Sequence, residues 1–192
     1  MDYDDIVLGR RIMIFGATGS GKTTLSRRLG SILGLPVIEL DAIRHDGDWD
    51  ATDWDDMRDR VEALVTSYAG GWVSEGNYSR VRDVTLSRAD TLITLDLPWR
   101  TSFWRLLKRT LRRARTGEPL YAAHGPRESW RGTFASRKSI LLWSITNHRR
   151  RLRTTQSAID DRPAGALVYR AKSSADVAAI VRAAEKSATR LA

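Results

Sequence analysis

The chain has 192 residues, with 32 Lys+Arg against 23 Asp+Glu for a formal net charge of +9, and 42% of it is hydrophobic. That apolar content supports one compact domain over residues 1–192 and excludes wholesale disorder. The absence of cysteine excludes disulfides, thiolate metal sites and cysteine nucleophiles, and with an acidic start (Met1-Asp2-Tyr3-Asp4-Asp5) and no apolar run near the ~20 residues that span a bilayer, it leads to the expectation of a soluble, cytoplasmic protein with no membrane partner.

In chain order, Arg11 to Phe15 (RIMIF) reads as a buried strand, followed by a helix with Leu25, Leu29, Ile32 and Leu33 on one face. Between them lies Gly16-Ala17-Thr18-Gly19-Ser20-Gly21-Lys22-Thr23, followed by Thr24, a match to G-x-x-x-x-G-K-[ST] in the strand-to-helix context that the motif requires. Glycines let successive N–H groups turn toward phosphate oxygens, and the helix N-terminus adds its positive end. Lys22 then reaches the outer phosphates of ATP and the Thr23 hydroxyl meets Mg²⁺. The motif alone does not say where the terminal phosphate goes.

Pro36 to Leu40 reads as the second strand, and Asp41-Ala42-Ile43-Arg44 opens from its end. Asp41 there can take a proton from an acceptor hydroxyl or hold a water on Mg²⁺, and Arg44 can hold an anionic acceptor; the alternatives are a helix cap and a solvated base. The acidic run Asp46 to Asp59, with Trp49 and Trp54, reads as a solvated helix start in the position of an acceptor flap. Trp72-Val73-Ser74 forms a third strand ending in Glu75-Gly76, which places a carboxylate where a magnesium-bound nucleotide needs one, unless Glu75 is only a surface acid.

Thr91 to Leu95 is the fourth strand. Trp99 to Thr116 follows as an amphipathic helix, with Phe103, Leu106, Leu107, Thr110, Leu111 and Ala114 inward and Arg105, Lys108, Arg109, Arg112 and Arg113 in a basic stripe. A second helix is expected around Ser136 to Arg153, a fifth strand over Ala166 to Tyr169, and a last helix from Ser173 or Ser174. Strands alternating with helices imply a parallel α/β sheet. Residues from Arg100 to Arg153 hold fifteen Lys/Arg against Glu118 and Glu128, so this segment carries +13 and the rest −4. Such a segment suits a polyphosphate clamp or a nucleic-acid contact. His45, His124 and His148 lie too far apart in sequence to suggest a zinc site.

The phosphate loop, L-D-A-I-R after the second strand, W-V-S-E-G-N-Y, A-D-T-L-I-T-L-D-L-P, and the Arg-rich segment with S-I-L-L-W resemble the adenylate-kinase-like (nucleoside monophosphate kinase-like) group. Within it they are most similar to the bacterial DNA topology modulation (FlaR-like) proteins. The resemblance runs from Arg11 to Ala184. It implies a P-loop NTPase three-layer α/β/α sandwich with a five-stranded parallel sheet, an ATP and Mg²⁺ site built on Gly16 to Thr24 with Thr23 and Glu75 on the metal, and an Arg-rich helical lid insert at about 99–153. By the same analogy Lys22, Asp41, Arg109, Arg113, Arg149 and Arg153 are catalytic, Asp41, Arg44, Glu75, Tyr78 and Arg80 hold the acceptor, and Ala171, Lys172 and Ser173 lie near the adenine. Where the wider group has D-G-F-P-R, this chain has Glu75-Gly76-Asn77-Tyr78-Ser79, with Arg80 displaced by one place. That departure argues against adenylate kinase activity itself. The expected function is an ATP-dependent kinase for a small molecule or nucleotide; the alternative is an ATP-binding regulatory or DNA-associated protein with little kinase activity.

Overall fold

The computed structural model describes residues 6–45, 52–116 and 148–191. Five strands, β1 (Arg11–Gly16), β2 (Val37–Glu39), β3 (Trp72–Glu75), β4 (Thr91–Leu95) and β5 (Leu167–Ala171), form one sheet in the order β2-β3-β1-β4-β5, every pairing parallel. Parallel strands need crossovers, and seven helices lie along the described chain: α1 (Lys22–Leu33), α2 (Leu40–Arg44), α3 (Trp54–Ser67), α4 (Arg82–Leu86), α5 (Trp99–Thr116), α6 (His148–Asp160) and α7 (Ser174–Leu191).

The apolar run of β1 divides by the two-residue period of a strand. Ile12 and Ile14 join Leu25 and Leu29 of α1 and Ile180 and Ala184 of α7, whereas Met13 and Phe15 join Met57 and Val61 of α3, Val84 of α4 and Ala158 and Ile159 of α6. Both faces of the sheet are thus covered, giving the three-layer sandwich, and this is why β1 is apolar at every position from Ile12 to Phe15 rather than at alternate ones. Trp72, fully buried, is among the largest side chains in the second layer.

Several boundaries differ from the periodicity. The second strand stops at Glu39 because Leu40 turns into the core as the first residue of α2. The last strand runs over Leu167–Ala171, one residue later at its start and two later at its end. Residues 117–147 lie outside those described, so the expected helix from Ser136 can be compared only from His148. There it continues seven residues beyond Arg153, because Thr155, Ala158 and Ile159 pack inward. The last helix starts where expected: Ser173 Oγ accepts from Asp176 N at 3.2 Å, while Asp176 Oδ2 accepts from Ser173 N at 3.0 Å, a reciprocal cap.

Candidate functional site

The site lies at the C-terminal edge of the sheet, where β1 is flanked by β3 on one side and β4 on the other, so that connections leave in opposite directions and a crevice opens between them. Gly16 to Gly21 turn from β1 into α1 within this crevice. Gly21, at the cap position, has a left-handed backbone and contributes no side chain, so the first N–H groups of α1 face outward with the positive end of the helix behind them. Lys22 Nζ folds back toward Ala17 O at 3.3 Å, poised over the loop.

Glu75 stands opposite. It ends β3 in register with Ile14 on β1, two residues before the loop, and it is only 2% exposed rather than a surface acid. Its Oε1 accepts from the Thr23 hydroxyl at 2.9 Å, while Oε2 is buried with no hydrogen-bond partner. Burial raises its pKa above the ordinary carboxylate value, with the negative fields of Asp41 and Glu39 adding to the rise; Lys22 and the Thr23 hydrogen bond pull the other way. Two more buried polar atoms around the loop, Ser20 Oγ and Asn77 Oδ1, also have no partner, although Asn77 Nδ2 donates to Gly16 O at 2.8 Å. Buried polar atoms in folded proteins are nearly always satisfied, so a loop edged by three open ones is built for a polar ligand. A hydroxyl and an otherwise open carboxylate oxygen are hard oxygen donors of the kind that hold Mg²⁺ together with nucleotide phosphates, and the pair Thr23 and Glu75 fits that ion. Among the described residues no group of three or more His, Asp or Glu forms a metal-binding cluster of its own.

Asp41 sits in the first turn of α2, and the cap position is held by Glu39, so Asp41 is not the cap of that helix. Arg44, three residues on, is not a freely solvated base: its guanidinium lies 3.9 Å from the ring centroid of Trp54, and its Nη1 is buried without a hydrogen-bond partner. Arg80 also lies over Trp54, at 5.0 Å, and the Tyr78 ring is 6.0 Å away. The structure thus gathers three expected acceptor residues, Arg44, Tyr78 and Arg80, around an indole that the acidic surroundings had suggested was merely part of a solvated helix start.

The Arg-rich helix α5 lies across the phosphate loop. Its buried line is Ser102, Leu106 and Thr110, narrower than the expected inner face, with Phe103, Leu107 and Leu111 half-buried at its sides. Gly19 has a left-handed backbone (φ +82°), and a Cβ there would stand 2.9 Å from Leu106 Cβ, so glycine is needed both for the turn and for this contact. Arg105 Nη1 donates to Ser20 O at 3.3 Å and Nη2 to Ser174 Oγ at 3.2 Å, linking the loop to the start of α7. Arg105 is not among the residues the sequence singles out for the site, although its spacing of four from Arg109 and eight from Arg113 puts all three on one helix face. Arg109 and Arg113 are half-buried farther along that face. Arg153 lines a cavity of about 280 Å³ with Asp96, Thr155, Gln156, Ile159 and Arg170, and no described contact joins it to the loop. The side chain of Arg149 lies outside those described.

No helix among the described residues is long and apolar enough to cross a membrane. No protein-family model matches the chain. The shikimate kinase of Bacteroides thetaiotaomicron superposes with a TM-score of 0.55 at 16% identity, over 95% of this chain and 98% of that one. A protein of Chloroflexus aurantiacus j-10-fl, described as kinase-like, gives a TM-score of 0.52 at 19% identity, over 89% and 94%. At these identities the likeness is one of fold: a five-stranded parallel P-loop kinase sandwich. In sequence, a stretch of 95 residues, 48% of this chain, is 34% identical to the ATP-dependent protease ATPase subunit HslU of Borreliella burgdorferi, and a stretch of 43 residues is 42% identical to the HslU subunit of Persephonella marina. The matches cover only 20% and 10% of those two relatives, so the chain spans a fifth of their length or less. The chain therefore shares with these solved kinase structures a three-layer fold built on a five-stranded parallel sheet.

Proposed function

We propose that the protein is an ATP-dependent kinase that transfers the terminal phosphoryl group of ATP to the hydroxyl of a small molecule. The observation that carries this reading is the hydrogen bond from the phosphate-loop hydroxyl of Thr23 to Glu75, a buried carboxylate with one oxygen left open. In this reading Gly16, Ala17, Thr18, Gly19, Ser20, Gly21, Lys22, Thr23 and Thr24 hold the triphosphate by backbone N–H groups, the lysine ammonium and the helix end. Thr23 and Glu75 hold Mg²⁺, which when bound neutralises phosphate charge. Arg105 borders the nucleotide beside the Ala171 to Ser173 loop. Asp41 accepts the proton of the acceptor hydroxyl as its oxygen bonds to the terminal phosphorus and the bond from phosphorus to the bridging oxygen breaks, leaving ADP. Arg109, Arg113, Arg149 and Arg153 belong to the basic insert at about 99–153 of a single domain, where positive charge stabilises the group in transit.

The second reading is an ATP-binding regulator that holds DNA, in keeping with the resemblance to topology modulation proteins. It is favoured by the outer face of α5, where Trp99 and Trp104 are 50% and 58% exposed beside Arg100, Lys108 and Arg115, an arrangement of bases and aromatic faces suited to a nucleic acid backbone.

Release of ADP from ATP, dependent on Mg²⁺, separates the two when measured for wild type and Lys22→Ala with nucleoside monophosphates, nucleosides, small alcohols and duplex DNA. The expected result is stimulation by one acceptor class, reduced at least about a hundredfold by the loss of Lys22. Stimulation by DNA alone would overturn the kinase reading in favour of the second, and unchanged ATP binding in Lys22→Ala would overturn the placement of the site.

A further inference from the structure

Arg27, Arg28, Arg58, Arg60, Arg82 and Arg88 each meet a carboxylate. The cavity of about 280 Å³ at the ends of β4 and β5 does not follow this pattern. One carboxylate, Asp96, and two guanidiniums, Arg153 and Arg170, line it together with Thr155, Gln156 and Ile159. Among the described residues no ion pair joins Asp96 to either arginine.

The strand period places these side chains. Leu92 and Val168 lie opposite each other on β4 and β5 and pack in the layer of α3, α4 and α6. Two residues on, Thr94 and Arg170 are again in register on that face, and Asp96 continues it just past the end of β4. The cavity therefore opens between the ends of two strands and α6. Each charge from the sheet is held by a neutral group. Thr94 Oγ1 donates to Asp96 Oδ2 at 3.0 Å and Asp96 N to Ala171 O at 2.8 Å, while Arg170 Nη2 donates to Gln156 Oε1 at 2.8 Å. Acid and base are thus fixed apart, and among the described residues Asp96 Oδ1 and the other N–H groups of Arg170 take no hydrogen bond. Buried Ile159 supplies an apolar wall.

We infer that this cavity is a binding site for a small amphoteric molecule of the α-amino acid class, with its carboxylate on Arg170 and Arg153 and its ammonium on Asp96. A simple anion entering the cavity meets the carboxylate, and a simple cation meets the two guanidiniums. A molecule that carries both charges satisfies all three groups, and a guanidinium grips a carboxylate by two parallel N–H bonds. At about 30 Å³ per water, 280 Å³ corresponds to roughly nine waters, so the ligand has on the order of ten non-hydrogen atoms. The lining shares no residue with the phosphate loop, the pair Thr23 and Glu75, or the cluster around Trp54. The site therefore stands apart from the kinase reading. Arg153 alone is shared with the basic insert, so Asp96 and Arg170 carry the test.

The test is calorimetric titration of glycine, L-alanine, L-leucine and L-glutamine into the full chain, with and without a non-hydrolysable ATP analogue and Mg²⁺, and of acetate and methylammonium as probes with one charge each. Saturable binding of at least one amino acid is expected, with both single-charge probes at least about tenfold weaker. Asp96→Asn keeps an acceptor for Thr94 and removes the charge, and Arg170→Gln removes the guanidinium. Each is expected to weaken the amino acid at least about tenfold while the affinity for the ATP analogue stays as in wild type, a split that a merely unfolding variant does not give. If Arg170→Gln does not fold by circular dichroism, Arg170→Lys, which keeps the charge but loses the two parallel donors, takes its place. Absence of saturable amino acid binding to wild type would overturn the inference. Acetate binding as tight as that of the amino acid would reduce the cavity to a plain anion site and overturn the assigned class. Wild-type amino acid affinity in either variant would place the binding elsewhere.

Discussion

Glu75 is the residue in which the design of the site is most concentrated. A carboxylate at 2% exposure with one unpartnered oxygen is unfavourable unless something binds it, and the folded chain retains its proton to higher pH than the unfolded chain does. The folded state therefore binds more protons across the interval between the ordinary and the raised pKa, so stability is greatest below the ordinary carboxylate range and falls as pH rises through the folded value. Glu75→Gln keeps an acceptor for Thr23 and removes the charge. The nucleotide-free variant is expected to melt a few degrees above wild type at pH 8 and close to it at pH 4, while losing Mg²⁺-dependent nucleotide affinity. A melting difference equal at both pH values would show that the buried charge is not the cause. The glutamate was legible in the sequence because an acid followed by glycine at a strand end is a local pattern. The cluster of Arg44, Tyr78 and Arg80 around Trp54 was not, since it forms only where α2, α3 and the loop after β3 meet, and the neighbouring Asp53, Asp55 and Asp56 give a helix-start signal that is also correct.

At the scale of elements, the contact of α5 with the phosphate loop is the one on which the proposed catalysis depends. Leu106 is fully buried, and the helix approaches so closely that Gly19 cannot carry a side chain. Gly19→Ala combines a left-handed backbone with a steric clash against α5, so it is expected to cost about 2 kcal/mol or more in denaturant unfolding and to weaken nucleotide binding in parallel. An alanine variant with wild-type stability would mean that α5 moves away from the loop without penalty. The extent of α5 was readable from its 3.6-residue pattern, whereas the face that meets the loop was not: Arg105, Arg109 and Arg113 are equivalent by spacing, and only the crossing of α5 over the loop singles out Arg105. The end of α6 is harder to read from the sequence for a different reason. Its buried Thr155, Ala158 and Ile159 sit among threonine, glutamine, serine and aspartate, a stretch with little apolar contrast from which to read periodicity.

Over the whole molecule, ligand binding and folding are linked. A ligand held at about 100 times its Kd stabilises the native state by ~2.7 kcal/mol, which for a domain of this size corresponds to a rise of roughly 5–11 °C in Tm. The ATP analogue with Mg²⁺ is expected to produce such a rise in wild type and little in Lys22→Ala, measured by scanning calorimetry. A rise of the same size in both would place the nucleotide elsewhere. The architecture itself was the most legible property, because a strand, a phosphate loop and alternating apolar segments dictate a parallel sheet with both faces covered, whatever the acceptor.

The order β2-β3-β1-β4-β5 makes β1 a seam. In the proposed reading, the nucleotide is handled along β1, α1, α5 and the start of α7, and the acceptor along β2, β3, α2 and α3, with Glu75 as the main side chain shared across the boundary. Residues that choose the acceptor are thereby decoupled from those that grip ATP, so a lineage built on this sheet can trade one acceptor for another by altering α2, α3 and the loop after β3 while inheriting the phosphate donor unchanged.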